Sequence, residues 1–225
     1  MRAGWFGLCG VVVALPVTAQ VAGPRQVRRI EGGVAAWESA ITGAVAVSHQ
    51  IGLFRARRLR LGYGVRYSLI ARTDQAEFTV ARASLIQQGI REPVLIDRSR
   101  NHALNFAFYA NYRVLSAVEA GFNIDVIGFG FGPARVADSR STDPRYQGSY
   151  TATPSSFNLL QGGKPDRGTL NSEFYVAYWF GPRAGVRAGA SHEVAEYTLA
   201  VPLAFGNDRF RHSSTLAFVS FALTR

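Results

Sequence analysis

The sequence has little of the chemistry on which many proteins depend. It contains one cysteine, Cys9, and one lysine, Lys164, and 18% of its 225 residues are charged. Because Cys9 falls in a segment that we expect to be cleaved, the mature chain has no thiol for a disulfide, a cysteine metal site or a nucleophile. No apolar run reaches the roughly 18 residues of a membrane helix, which excludes a helical membrane protein. A mean hydropathy of +0.03 excludes a disordered chain.

The N-terminus has the features of an export signal. Arg2 precedes an apolar run from Phe6 to Val17, and small residues end the segment at Ala19. The run is too short to cross a bilayer of about 30 Å as a helix. A buried N-terminal element and a lipid anchor on Cys9 are the alternatives. The predicted division is a signal peptide at 1–19, an N-terminal periplasmic segment at 20–29 and one β-domain at 30–225.

Basic residues outnumber acidic ones by 25 to 15, and all but Lys164 are arginine. A basic protein raises the question of nucleic-acid binding. No basic helix, zinc-ligand spacing or RNA-binding aromatic signature accompanies the charge, so we expect no nucleic-acid partner. Lipopolysaccharide phosphates fit an exported protein better, because the guanidinium fork matches phosphate oxygens.

Alternation with a period of two dominates the chain and predicts strands. From Arg58 to Ala71, apolar residues fall on one face and Arg58, Arg60, Gly62, Gly64, Arg66 and Ser68 on the other. A strand separates the two sets, whereas a helix would scatter them. The same pattern predicts further strands at 40–50, 105–113, 118–126, 171–180, 185–198 and 214–224.

The connections between these strands alternate in length. Short links at 50–58, 114–117 and 181–184 alternate with long links at 72–101, 132–170 and 200–213. Tight periplasmic turns and long external loops are typical of a transmembrane barrel. With both termini on the short-turn side, an eighth strand is required, and we place it at Ile30 to Trp37. Residues 77–86 are the competing candidate, which we interpret as an ordered extension of the first long loop.

The composition of the polar faces indicates which side of each strand faces inward. They combine small residues with charges of both signs, which suits the crowded lumen of an eight-stranded barrel. The predicted fold is therefore an all-β, eight-stranded antiparallel up-and-down transmembrane β-barrel. A soluble, secreted lipocalin-like barrel, with the faces reversed, is the alternative.

At this point the chain resembles the small outer-membrane β-barrel proteins of Gram-negative bacteria, of the eight-stranded OmpA/OmpX-like kind. Segments 171–179 and 207–210 look like those of uncharacterised members. The resemblance implies a cell outer-membrane location and recognition by the barrel-assembly machinery. The alternating apolar residues of the last strand, from Ala217 to Leu223, fit that recognition, although Thr224 and Arg225 stand where such proteins have an aromatic residue.

Charged residues on the polar faces are the candidate site. If the apolar faces contact lipid, four cations and four carboxylates point into the lumen, where unpaired charges are costly. We predict a structural ion-pair network, with Trp179 as a plug and a narrow ion-conducting pore as the alternative. Its members are Arg58, Arg60, Arg66, Glu119, Asp125, Glu173, Arg187 and Glu193.

Catalysis is not predicted. Ser191 and Glu193 share one face of a strand and His192 points to the other, so the three cannot form a triad. His192 could work only with an outward-facing serine such as Ser172, which leaves a lipid A-modifying enzyme as an alternative. No metal or cofactor is expected. The sequence predicts a monomeric outer-membrane barrel with a structural or surface-interaction role, in contact with membrane lipid and lipopolysaccharide.

Overall fold

The computed structural model describes residues 24–225, so the predicted signal peptide and Cys9 lie outside the described residues. The chain forms one antiparallel sheet of thirteen strands. Between residues 24 and 225, no helix has the length and apolarity needed to cross a bilayer. The strands are β1 (Gln26–Trp37), β2 (Ala40–Gly52), β3 (Leu59–Arg72), β4 (Gln75–Val80), β5 (Val94–Asp97), β6 (Arg100–Arg113), β7 (Val118–Phe131), β8 (Arg135–Ser139), β9 (Gly148–Pro154), β10 (Phe157–Leu159), β11 (Leu170–Trp179), β12 (Ala184–Leu199) and β13 (Arg209–Thr224). The helix is α1 (Ala83–Gln87), and 3₁₀ turns lie at Pro144–Tyr146 and Ala204–Gly206.

The eight strands of ten or more residues pair in a closed ring. The order is β1, β2, β3, β6, β7, β11, β12 and β13, and β13 pairs back with β1 through residues such as Val219 opposite Val34. Closure satisfies the edge hydrogen bonds that an open sheet leaves exposed. Three short turns and both ends of the described chain lie at one end, the turn end. The long links lie at the other, the cap end.

The prediction of an all-β antiparallel fold is confirmed, but the sheet has thirteen strands rather than eight. The difference arises because the two longest links fold into five short strands. The strand expected at Ile30 is β1, which begins at Gln26 because the inward alternation already includes Val27 and Arg29. The competing segment at 77–86 contributes β4 and α1, outside the ring of long strands.

A β-bulge shifts the phase of β7. Phe106 of β6 lies opposite Ile127, whereas Ala107 lies opposite Asp125, so Val126 is the extra residue. Before Val126, the inward positions of β7 include Glu119 and Asp125. After Val126, the inward residues are Gly128 and Gly130. A Cβ on Gly128 would overlap the backbone and side chain of Asn105. The glycine run from 128 to 132 therefore continues the strand, where alternation alone predicted that the strand had ended.

The short strands form a second closed ring at the cap end. Here β4, β5, β8 and β9 pair in series, and the ends of β12 and β13 complete the circle. This ring is the cap. Its interior is an apolar core, whereas the interior of the long strands combines buried charges with a smaller apolar cluster around Leu216 and Phe218. The core of the cap includes Phe78, Val94, Ile96, Ala137, Ala152, Tyr197, Leu199 and Phe210.

The long strands carry their apolar side chains on the outside. Thirty large apolar residues of the described chain are exposed, most of them on the outward faces of these strands. Soluble monomers rarely expose contiguous apolar patches of more than a few hundred Å². The interior holds buried arginines, carboxylates and amides. The apolar faces are therefore outside, as the alternation argument placed them.

Candidate functional site

The interior of the long-strand ring contains seven of the eight predicted network residues. Arg60, Arg66, Glu119, Asp125, Glu173, Arg187 and Glu193 are all buried there. Arg58 is the exception. Because β3 begins at Leu59, Arg58 lies in the preceding turn with an exposed side chain and takes no part in the interior network.

Arg29 and Glu119 form the ion pair nearest the turn end. Two guanidinium nitrogens of Arg29 donate to the two carboxylate oxygens at 2.6 and 2.8 Å, and Arg60 donates to the same carboxylate at 3.3 Å. The guanidinium carbon of Arg29 lies 4.8 Å from the ring centre of Trp179. A bidentate pair of this kind is among the stronger polar contacts of a protein. Trp179 therefore closes the interior at the turn end together with a fixed arginine.

Arg66 anchors the middle of the interior. It donates to Asp125 at 2.7 and 3.0 Å, to the side-chain oxygen of Asn123 at 2.6 Å and to the carbonyl of Asn171 at 2.7 Å. The carboxylate of Glu173 lies 3.4 Å from the same guanidinium. These contacts involve β3, β7 and β11, so one side chain ties together strands from opposite sides of the ring.

Arg187 extends the network to the opposite wall. It donates to Glu173 at 2.7 Å and to Glu31 of β1 at 2.5 Å. The ring of Tyr175 lies 3.8 Å from its guanidinium carbon, which adds a cation–π contact. Because Glu173 contacts both Arg66 and Arg187, these groups form one continuous chain of charges across the lumen.

Glu193 is the interior carboxylate whose partners are hydroxyl groups. It accepts hydrogen bonds from Thr42 at 2.6 Å and from Ser191 at 3.3 Å. No ion pair to Glu193 is found within residues 24–225. The interior thus holds four arginines and five carboxylates.

Arg29 and Glu31 belong to the interior network but were not among the predicted residues. They lie on β1, whose expected start at Ile30 excluded Arg29, and whose weak alternation hid the inward position of Glu31. The available signal was the extension of the pattern through Val27, Arg29 and Glu31, all three of which are buried. A closed eight-strand ring has so narrow an interior that inward charges on any strand meet those on the others.

Side chains fill most of the interior. The central cavity has a volume of about 20 Å³ and is bordered by Glu31, Arg66, Tyr109 and Glu193. A space of this size holds roughly one water molecule. The buried rings of Tyr109, Tyr175 and Trp179 occupy much of the rest. This packing leaves little room for a column of water through the described interior.

The residues around His192 do not assemble into a triad. Ser191 and Glu193 point into the barrel, while the imidazole Nδ1 of His192 lies on the outside, 3.0 Å from the hydroxyl of Thr215. Ser172 is opposite His192 in the β11–β12 register. The outward imidazole therefore has hydroxyl neighbours but is separated from Glu193 by the sheet itself.

Arginines of the cap end hold the long links in place. Arg209 makes two hydrogen bonds of 2.9 Å to Glu196, and Arg211 donates to the carbonyls of Ala81 and Asp166. The Asp166 carboxylate in turn accepts three backbone N–H groups at 2.6–3.0 Å. These contacts join the links at 81–82 and 161–167 to the end of β13.

An exposed ion pair lies in the longest link. Arg145 donates to both carboxylate oxygens of Asp143, and these hydrogen bonds hold the pKa of that carboxyl below its usual value. Both residues are on the outer surface of the cap, where solvent screens the pair. Arg145 is therefore a suitable control position for a substitution that removes a charge outside the barrel interior.

Comparisons with known proteins give distant likenesses. No protein-family profile matches the chain, and no curated protein matches it. Neisserial surface protein A (NspA) is 11% identical over 88% of this chain and 97% of its own, with a TM-score of 0.39. The monoaromatic hydrocarbon channel CymD is 8% identical over 90% and 89%, with a TM-score of 0.25. The P. putida toluene transporter TodX is 8% identical over 92% and 90%, with a TM-score of 0.20. At such distances, the function of this chain rests on its own residues.

Proposed function

We propose that this protein is an eight-stranded barrel of the Gram-negative outer membrane. The eight long strands would cross the membrane, and the short strands β4, β5, β8 and β9 would build the cap outside it. The observation that carries the proposal is a reversal of polarity along single strands, at the level where the cap begins. Such a reversal is expected where the surroundings of a strand change from lipid to water.

The strand β12 displays the reversal on both of its faces. From the turn end, its inward face changes from polar to apolar, in the order Arg187, Ser191, Glu193, Ala195, Tyr197 and Leu199. Its outward face changes from apolar to polar, in the order Val186, Ala188, Ala190, His192, Val194, Glu196 and Thr198, and Glu196 is buried there in its pair with Arg209. A barrel surrounded only by water would keep an apolar interior along its whole length. Water therefore does not explain why the turn-end half of β12 is polar inside and apolar outside while the cap-end half is the reverse.

The outward face of the neighbouring strand β13 changes at the same level. Its outward residues are Arg209, Arg211, Ser213 and Thr215 at the cap end, followed by Ala217, Val219, Phe221 and Leu223. His192 of β12 lies opposite Thr215, which aligns the change on the two strands. The boundary is thus a property of the barrel wall rather than of one strand.

Aromatic side chains lie at both edges of the apolar outer surface. Tyr112, Tyr178 and Phe180 are exposed near the turn end. At the other edge, the Tyr67 hydroxyl is 2.7 Å from His102, whose ring stacks on Phe131. Girdles of aromatic residues at the two interfaces are characteristic of outer-membrane barrels. They support a membrane boundary at the level of the polarity reversal.

Within this location, we infer a structural or surface-interaction role without catalysis. The interior network ties strands of the ring together, and the arginines of the cap end fix the long links into a folded external cap. A rigid barrel that presents such a cap is suited to contacts with lipopolysaccharide or other surface partners. Export through a signal peptide, assembly by the barrel-assembly machinery and a monomeric state belong to the same proposal.

The filled interior leads to an expectation for conductance. Purified protein reconstituted in planar bilayers should give flat current traces, because the charged network and three aromatic rings leave a cavity of only about 20 Å³ at the centre of the barrel. A large porin inserted in the same bilayers serves as the positive control. Steady, long-lived open events from this protein would contradict the closed interior and favour the pore alternative.

A further inference from the structure

The net positive charge of the described chain is concentrated at the turn end. Outside the barrel interior, this end carries eight arginines and, within residues 24–225, no acidic side chain. The eight are Arg25, Arg28, Arg55, Arg57, Arg58, Arg113, Arg183 and Arg225. At the cap end, acidic and basic residues nearly balance. An anion approaching the turn end therefore meets a positive potential that the rest of the molecule does not offset.

A pocket of about 390 Å³ opens at the centre of this basic end. Arg29, Arg60 and Arg113 line it together with Trp179, and the turn at Phe180–Pro182 forms part of its rim. The volume falls in the range of small-molecule sites. The pocket is thus a defined concave site surrounded by the arginines of the turns.

Four N–H donors of the lining residues have no acceptor among the described residues. They are the Nε atoms of Arg29, Arg60 and Arg113 and the indole Nε1 of Trp179. Arg29 and Arg60 are 0% and 2% exposed, so their donors lie in nearly water-free surroundings. Unsatisfied buried donors also occur elsewhere in residues 24–225, but these four are grouped around one pocket, where a ligand that accepts hydrogen bonds would satisfy them.

The charges of the lining residues also favour an anionic ligand. Glu119 is the carboxylate beside the pocket, and it pairs with Arg29 and Arg60 at once. Within residues 24–225, no carboxylate lies at ion-pair distance from Arg113. At ion-pair distance, three guanidinium groups therefore share one carboxylate, and the lining of the pocket has an excess of positive charge.

From this geometry we propose that the turn-end pocket binds an oxyanion, a phosphate or carboxylate group of a small molecule. The guanidinium fork complements the oxygens of both groups, and the indole N–H supplies a neutral donor beside them. The group can belong to a free ion or to the headgroup of an anionic phospholipid from the adjacent leaflet. Binding of a free ion follows from the pocket geometry alone, whereas binding of a headgroup also rests on the membrane location proposed above.

The test is calorimetric titration of the folded protein, in neutral detergent at low ionic strength, with inorganic phosphate. We expect saturable binding that Arg113→Gln weakens by about 10- to 100-fold, as loss of a charge-assisted hydrogen bond predicts. Trp179→Phe keeps an aromatic ring and removes one donor, and we expect it to weaken binding by about 2- to 10-fold. Arg145→Gln removes the same charge from the cap end and should leave the affinity unchanged. Retained heat-modifiable gel mobility establishes that each variant is folded.

Titration with short-chain phosphatidylglycerol, against phosphatidylcholine of the same chain length, distinguishes the two sources. If inorganic phosphate binds and the binding depends on Arg113, a free oxyanion is sufficient to occupy the pocket. Binding of phosphatidylglycerol that depends on Arg113, without binding of free phosphate, identifies the headgroup. The proposal fails if the wild-type protein binds neither, or if Arg145→Gln weakens binding as much as Arg113→Gln does.

Discussion

Replacing Arg66 with methionine is expected to destabilise the barrel by about 3–5 kcal/mol, the loss typical of breaking a buried ion pair. Arg66 holds Asp125 through two hydrogen bonds, lies 3.4 Å from Glu173 and also satisfies Asn123. Without the guanidinium, the Asp125 carboxylate remains in the narrow interior with amide donors but no cation. Methionine fills similar space, so the effect reports the charge rather than a cavity.

The measurement is the urea midpoint of folding into lipid vesicles, followed by gel mobility and tryptophan fluorescence. Arg58→Met is the matched control, since Arg58 is exposed in the turn before β3 and lies outside the network. We expect the control to change stability by less than about 0.5 kcal/mol. Restoration of part of the loss by Asp125→Asn in the Arg66→Met background would identify the unpaired carboxylate as its cause. Equal midpoints for the two single variants would show that the interior charges do not hold the barrel together.

The second large effect is expected on the outer surface. Val219→Arg places a charge on the outward face of β13, where Val219 is 47% exposed between Ala217 and Phe221. In a bilayer this substitution should cost about 2–4 kcal/mol near the midplane. In water the same change at a half-exposed position would cost little. The size of the loss therefore reports what surrounds the strand.

Ser213→Arg supplies the control for this comparison. Ser213 lies on the same face of the same strand, but on the cap side of the polarity reversal, next to Arg211. Its substitution is expected to change folding free energy by less than about 0.5 kcal/mol. Small losses at both positions would mean that water surrounds the whole barrel. Large losses at both would mean that the membrane boundary lies further toward the cap than we propose.

The alternation of side chains made most of the barrel wall predictable from sequence. Each of the eight long strands overlaps a segment where apolar and polar residues alternate. The alternation arises because one face of the strand lies in the barrel interior and the other lies on the outer surface. The bulge at Val126 was not predictable, since one extra residue changes the phase without changing the composition. The start of β1 was placed four residues late for a different reason, because its apolar and polar residues alternate only weakly.

The cap could not be predicted from the same signal. Its strands are short, between four and seven residues for β4, β5, β8 and β9, and their pairing depends on contacts between links far apart in sequence. β5 pairs with β8 across the intervening strands β6 and β7. In the interior, the identity of most charged residues followed from alternation, but which arginine meets which carboxylate follows from closure of the ring. The turn-end pocket needed that closure as well, because its lining comes from β1, β3, β6 and β11.

The central claim, a barrel in the outer membrane, is tested most directly by gel mobility of the protein in carbonate-washed outer membranes, with and without boiling. A closed sheet in a membrane resists carbonate extraction and keeps its fold in cold detergent. Our account predicts that the protein stays in the membrane pellet and that its unboiled form migrates differently from the boiled one. A protein released by carbonate, with the same mobility before and after boiling, would contradict the account and would mean that the apolar outer surface is covered by something other than lipid.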